Sequence, residues 1–157
     1  MILSAQSIKR RCINDRLLSP FIFHETKHGV SAGISHSGYD LRVVLPNLVD
    51  QWEIRPGEFL LAATVEYFEM PYDLVAIVHD KSTLARQGLS VFNTVIEAGW
   101  CGYLTLELVN HGPEPITIYS GQGIAQVVFH VLDMPTERPY SGKYQDQGFG
   151  PQGAIRG

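Results

Sequence analysis

The sequence predicts a mainly β fold, a sandwich or a jelly-roll-like barrel, and three observations lead there. Short apolar or alternating runs occupy Asp40 to Leu45, Phe59 to Phe68, Leu74 to His79, Tyr103 to Asn110, Ile116 to Tyr119 and Ile124 to Leu132. Turn signals separate them: Arg55-Pro56-Gly57-Glu58, His111-Gly112-Pro113 and Ser120-Gly121-Gln122-Gly123. At 157 residues, 45% hydrophobic and 18% charged, the chain has globular composition and the length of one domain with its own core.

The elements follow in chain order. Ser4 is placed to cap a short helix running to about Asn14, with Ile8, Cys12 and Ile13 as its apolar stripe. Residues 24–38, rich in Gly, Ser and His, read as a loop or a meander. From Tyr39 onward the pattern is mostly β, interrupted by a short helix within Asp80 to Gly88, with Ser82 as N-cap and Gly88 as C-cap. That helix is either an anion site, with Lys81 beside its free N–H groups and Arg86 a turn further on, or a plain connector. Asn93 to Gly102 reads as a hairpin with Glu97 and Trp100 near its end. In the run that follows, Leu104, Leu106 and Leu108 share one face, assigned to the core. Glu107 falls on the other face with Tyr103, Thr105 and Val109, either as a solvated carboxylate or as a general base lining a pocket. Arg138 to Gly157 holds five Gly and two Pro and reads as an extended tail whose Tyr, Lys, Gln and Phe side chains suit a lid.

Composition excludes several functions. A formal charge of -4 argues against a general nucleic-acid binder. No run is long and apolar enough to cross a membrane as a helix, and Met1-Ile2-Leu3 passes directly into polar Ser4 without a signal-peptide core. Cys12 and Cys101 lack metal-type spacing, which predicts free thiols in a reducing, cytoplasmic setting. There is no Walker A sequence, no His-Glu-x-x-His, and no His-x-Glu with Pro-Cys-x-x-Cys of the zinc nucleobase deaminases. His24 and His28 have the nearest His spacing, in a segment without helical pattern, and read as surface residues.

Five ordered motifs remain: Ser37-Gly38-Tyr39-Asp40-Leu41-Arg42; Lys81-Ser82-Thr83-Leu84-Ala85-Arg86-Gln87-Gly88-Leu89; Val95-Ile96-Glu97-Ala98-Gly99-Trp100 with Leu104-Thr105-Leu106-Glu107; Gly121-Gln122-Gly123-Ile124-Ala125-Gln126; and Lys143-Tyr144-Gln145-Asp146-Gln147. Together they resemble the dCTP deaminase branch of the dUTPase superfamily over essentially the whole chain. The resemblance implies a distorted jelly-roll-like β-barrel of the dUTPase type over residues 1–139, and a tail or lid over 140–157 closing the active site. It implies a homotrimer with active sites between subunits, acting on dCTP or dUTP, with Mg²⁺ carried on the triphosphate and no zinc. Neither nucleic acid nor membrane enters this reading.

The resemblance also assigns roles. Glu107 matches the general base of deamination, Arg86 the catalytic Arg that supports it, and Ser82 a Ser at the phosphates that helps hold the geometry. Thr83, Leu84, Ala85, Trp100, Thr105 and Leu106 fall within matched motifs and join the substrate-binding set. Tyr140, Lys143 and Gln147 match tail residues that close over the triphosphate, and Gln126 a phosphate-side Gln of some bifunctional members. Lys81 stands where the family usually has Arg, keeping the charge but losing the bidentate fork.

Three departures bear on the product. The hairpin before Glu97 is shorter than in typical deaminases, Glu97 replaces the usual Asp, and Gly148-Phe149-Gly150 resembles the lid of dUTPases. The leading expectation is therefore a dCTP deaminase, with a dUTP diphosphatase or a bifunctional enzyme forming dUMP as the alternative. A nucleotide sensor that keeps the fold without the chemistry fits poorly with an intact Ser82, Arg86 and Glu107.

Overall fold

The alternating runs become the long strands of a curled sheet. The computed structural model describes all of residues 1–157. In chain order the elements are α1 (Ala5–Asp15), β1 (Leu18–Ser19), β2 (Glu25–Lys27), β3 (Val30–Ile34), β4 (Tyr39–Val44), β5 (Gln51–Ile54), β6 (Phe59–Glu69), β7 (Leu74–Asp80), α2 (Ser82–Ala85), β8 (Leu89–Val91), β9 (Val95–Ile96), β10 (Cys101–Asn110), β11 (Ile116–Tyr119) and β12 (Gly123–Val131). The main sheet runs β8-β10-β6-β4-β12-β7-β9, with β1 on β6 and the β2–β3 hairpin added through β4. All its pairings are antiparallel. The curl brings its two ends together, where the Asp80 carboxylate of β7 accepts the Val91 N–H of β8 at 2.7 Å.

The core fills the concave side: Tyr39, Leu41, Phe68, Val78, Leu106, Leu108, Val127 and Phe129 are all buried there. A separate β5–β11 ribbon contributes Ile54, Ile116 and Ile118 to the same core. Fully buried Asn110 fastens that ribbon to the end of β10, its amide donating to the Ile54 and Glu114 carbonyls at 2.9 and 2.8 Å. The N-terminus is tied to β12 by the Leu3 N–H on the Phe129 carbonyl at 3.0 Å.

Several local expectations are corrected. In α1, Ile8 and Cys12 are buried but Ile13 is exposed, because a helix lying on the sheet can press only a narrow stripe against it. Residues 24–38 carry the β2–β3 hairpin, so the meander reading holds. In α2, Ser82 is the first helical residue and Lys81 takes the N-cap position, its carbonyl accepting the Leu84 and Ala85 N–H groups. Val95–Ile96 does not form one arm of a hairpin with β10 but crosses to pair with β7. Leu104 packs against the core as expected but is only partly buried and also lines the cavity described below, at the point where the β10–β6 register shifts between Tyr103 and Thr105. Cys12 and Cys101 are unpaired, and burial pushes the Cys12 thiol up to about 11. No helix is long and apolar enough to cross a membrane.

Candidate active site

The outer face of β10 forms one wall of a cavity of about 430 Å³. Leu106 and Leu108 are drawn into the core, so strand alternation turns Glu107 to the cavity side, directly opposite Leu61 of β6. Phe59, Leu61, Val95, Ile96, Trp100 and Leu104 make the lining mostly apolar. Glu107 is half-buried among them, and burial pushes its carboxyl above the ordinary value. Its Oε2 is buried and makes no hydrogen bond within the chain, and the same holds for Oγ1 of Thr94, another residue of the lining. A carboxylate in this setting can take a proton from a water or a substrate group that enters beside it.

The turn after β9 brings Glu97 and Trp100 to the rim. The Trp100 N–H closes it on the Glu97 carbonyl at 3.1 Å, while Gly99 adopts φ +86°, which an L side chain rarely tolerates. Glycine is required there for a second reason: a Cβ on Gly99 would stand 2.5 Å from Pro139 Cβ at the root of the tail.

The tail completes the cavity. The Tyr140 N–H donates to the Ala98 carbonyl at 2.8 Å, and the Trp100 indole N–H to the Tyr144 carbonyl at 2.7 Å. The Tyr103 N–H donates to the Gln147 carbonyl at 3.0 Å, and the Gln147 side-chain amide to Thr105 Oγ1 at 2.5 Å. The Gln152 N–H reaches the same Thr105 oxygen at 3.0 Å. Tyr140, Tyr144, Gln147, Gln152, Gly153 and Ala154 thus line the opening.

The residues singled out in the sequence fall into separate groups. Glu97, Trp100, Thr105, Glu107, Tyr140 and Gln147 share the cavity. Lys81 and Gln126 meet elsewhere, on Asp40: Lys81 Nζ lies 2.6 Å from Asp40 Oδ2, and the Gln126 amide donates to Asp40 Oδ1 at 3.1 Å. Ser31 adds a hydroxyl to Asp40 at 3.2 Å. Ser82, Thr83, Ala85 and Arg86 are exposed along α2 outside the cavity, whereas Leu84 and Leu106 are buried side chains of the core. Lys143 is exposed beside the Tyr144 ring and donates to the Ile155 carbonyl. Phe149 is exposed and packs edge-on against Tyr103, outside the cavity.

Asp40 and Tyr144 stand in the motifs above without an assigned role, and Thr94 and Gln152 stand outside them. Asp40 had a signal, a carboxylate inside the apolar run of β4, but Thr94 had none. No three His, Cys, Asp or Glu side chains converge as metal ligands.

Cutting the chain after Pro139 is expected to weaken ligand binding in this cavity at least about tenfold while the barrel stays folded, because the tail lines the opening and adds no strand to the main sheet. Calorimetric titration and thermal melting check this, and unchanged affinity would deny the tail a part in the site.

Residues 43–132 match the model of a family described as dCTP deaminase-like. A dCTP deaminase of Campylobacter fetus subsp. fetus is 38% identical, over 89% of this chain and 90% of the relative. One from Roseiflexus castenholzii is also 38% identical, over 83% of this chain and 86% of its own. Among solved structures, a 2'-deoxycytidine 5'-triphosphate deaminase from Agrobacterium tumefaciens superposes with a TM-score of 0.66 at 19% identity, over 83% of this chain and 48% of that one. The EIAV dUTPase superposes at 0.57 with 21% identity, over 80% of this chain and 98% of that one. The two superpositions speak for the fold, a barrel of the dUTPase type.

Proposed function

This chain belongs to the dCTP deaminase-like family, and from that premise we propose that it is an enzyme that converts dCTP and water to dUTP and ammonia, with Glu107 as general base. The observation that carries this reading is the half-buried Glu107 carboxylate, with one oxygen unpartnered, in a mostly apolar cavity of nucleoside-like size. Such a carboxylate can work without a metal on the reacting water. Glu107 takes one proton as the water oxygen bonds to C4 of the pyrimidine, and passes it to N3. It then carries the remaining hydroxyl proton to the amino group, the C4–N bond breaks, and ammonia leaves a C4 carbonyl behind.

The cavity alone does not bring Arg86 or Ser82 to Glu107. We therefore place the complete active site between subunits of a homotrimer, where exposed α2 of one subunit serves the cavity of the next. Two features support this: Arg86 and Ser82 are exposed, and Glu107 Oε2 lacks a partner in its own chain. Arg86 then stabilises charge that develops as the tetrahedral centre forms. Lys81, Ser82, Gln126 and Lys143 face the triphosphate, and the Asp40 ion pair holds Lys81 in a fixed direction. Mg²⁺ would enter with the triphosphate, neutralise part of its charge and need few ligands from the protein. The free thiols fit a cytoplasmic setting.

A second reading, dUTP diphosphatase or a bifunctional enzyme forming dUMP, draws on Gln126, on the short hairpin before Glu97 and on Phe149 of the tail. Against it stands Glu97, whose extra methylene misplaces a water that must be held to within about half an ångström.

Incubation with dCTP and with dUTP, each with Mg²⁺ after exhaustive zinc chelation, tests the proposal by separation of the products. The expected outcome is dUTP as the main product from dCTP, with dUTP itself hydrolysed slowly. Glu97→Asp should gain dUMP formation. Activity lost with zinc and restored only by zinc would overturn the metal-free step.

A further inference from the structure

Two residues that line the cavity, Glu107 and Thr94, each carry a buried side-chain oxygen without a hydrogen-bond partner in the chain, Oε2 and Oγ1. Glu107 has a role in the reaction proposed above, but Thr94 has none. Unpaired buried polar atoms are uncommon because each forfeits its hydration without recompense. Ordinary explanations fail for Thr94. Its hydroxyl caps no helix, bonds no backbone carbonyl and bridges no strands, and the fold uses only its main chain, whose carbonyl accepts the Val78 N–H of β7 at 3.2 Å. That bond holds Thr94 next to β9, whose Val95 and Ile96 also line the cavity.

We propose that Thr94 is a substrate-binding residue whose hydroxyl hydrogen-bonds the polar edge of the pyrimidine while Glu107 works at C4. This inference rests on the reading of the cavity as the deamination site. The chemistry suits a hydroxyl better than a fixed charge. The reaction turns an amino group, a donor, into a carbonyl, an acceptor, and turns N3 from an acceptor into a donor. A hydroxyl rotor can donate or accept, so one side chain serves the substrate and the product edge alike. A fixed donor such as Lys, or a fixed acceptor such as Glu, would bind one and repel the other. Apolar Phe59, Leu61, Val95 and Ile96 line the same cavity and offer a ligand's polar edge no competing partner.

Two substitutions test this. Thr94→Val keeps the shape and removes the hydroxyl, and Thr94→Ser keeps the hydroxyl. Thr94→Val should lower kcat/KM for dCTP about 10- to 100-fold and weaken equilibrium binding of both dCTP and dUTP about tenfold. Thr94→Ser should stay within about threefold of the parent. Thermal melting of Thr94→Val should be unchanged or raised, because it removes an unpaired buried oxygen and leaves the Val78 bond intact. A valine variant that binds and turns over dCTP like the parent overturns the proposal, as does one whose loss is matched by a fall in melting temperature. If the parent itself deaminates nothing, the Glu107 reading fails separately. Thr94 is then judged on dCTP and dUTP binding alone, where equal affinity of parent and valine variant overturns it.

Discussion

Replacing Glu107 by Gln is expected to lower kcat for dCTP deamination by about 10³-fold while dCTP affinity stays within about threefold. The amide has the shape of the carboxylate but cannot take the proton from water. The same group sets the acid side of the pH profile. Glu107 must be ionised to act, and burial raises its pKa, so kcat falls with acidity before an ordinary glutamate would protonate. Its effect on stability has the opposite sense. A carboxyl whose folded pKa lies above its unfolded value binds more protons when folded, so stability is lost as pH rises through that window. Glu107→Gln should therefore melt no lower than the parent at pH 8, and any advantage should vanish in acid below the ordinary carboxylate range. A variant with near-normal turnover would remove Glu107 from the mechanism.

The largest loss of stability is expected from Arg42→Met. Glu66 is fully buried, and its carboxylate accepts the Arg42 Nε–H at 2.7 Å, the Arg42 backbone N–H at 3.1 Å and the Tyr39 hydroxyl at 3.2 Å. Arg42 also donates to the Pro20 carbonyl at 2.9 Å, so one guanidinium joins β4, β6 and the segment after β1. Removing it strands a buried charge, with a cost of about 3–5 kcal/mol in chemical denaturation. Desolvation already holds the Glu66 pKa above its ordinary value, and losing the cation raises it further. The destabilisation should therefore be smaller near pH 5 than at pH 8, because protonation relieves the stranded charge. Equal stability of variant and parent at pH 8 would show that this network does not hold the barrel.

What the sequence made legible follows from the strength of its patterns. Leu106, Glu107 and Leu108 alternate over core and cavity as their spacing predicts, and long β6, β7 and β12 lie where apolar runs stand between turn signals. Two-residue β9 and three-residue β8 are too short to show a period, so the crossing of Val95–Ile96 to β7 could not be read. That Leu104 serves both core and cavity is hidden for another reason. Its position depends on a register shift against β6, a property of two strands that neither reveals alone. Glu66 sits among apolar neighbours in β6, and only folding brings Arg42 and Tyr39 to it. The candidate site divides likewise. Glu97, Trp100, Thr105 and Glu107 lie close in sequence and line one cavity. Arg86 and Lys81 are equally visible as motif residues, but one chain does not bring them to that cavity.

The central claim is that water attacks C4 of the pyrimidine and not a phosphorus atom, and isotopic labelling tests it most directly. With dCTP and Mg²⁺ in ¹⁸O-labelled water, mass spectrometry of the nucleotide product should find a single ¹⁸O in the uracil ring of dUTP, with the triphosphate unlabelled and ammonia released in equal amount. Label confined to phosphate oxygens of dUMP or pyrophosphate from added dUTP, with dCTP left unchanged, would contradict the account and return Glu107 to a structural role.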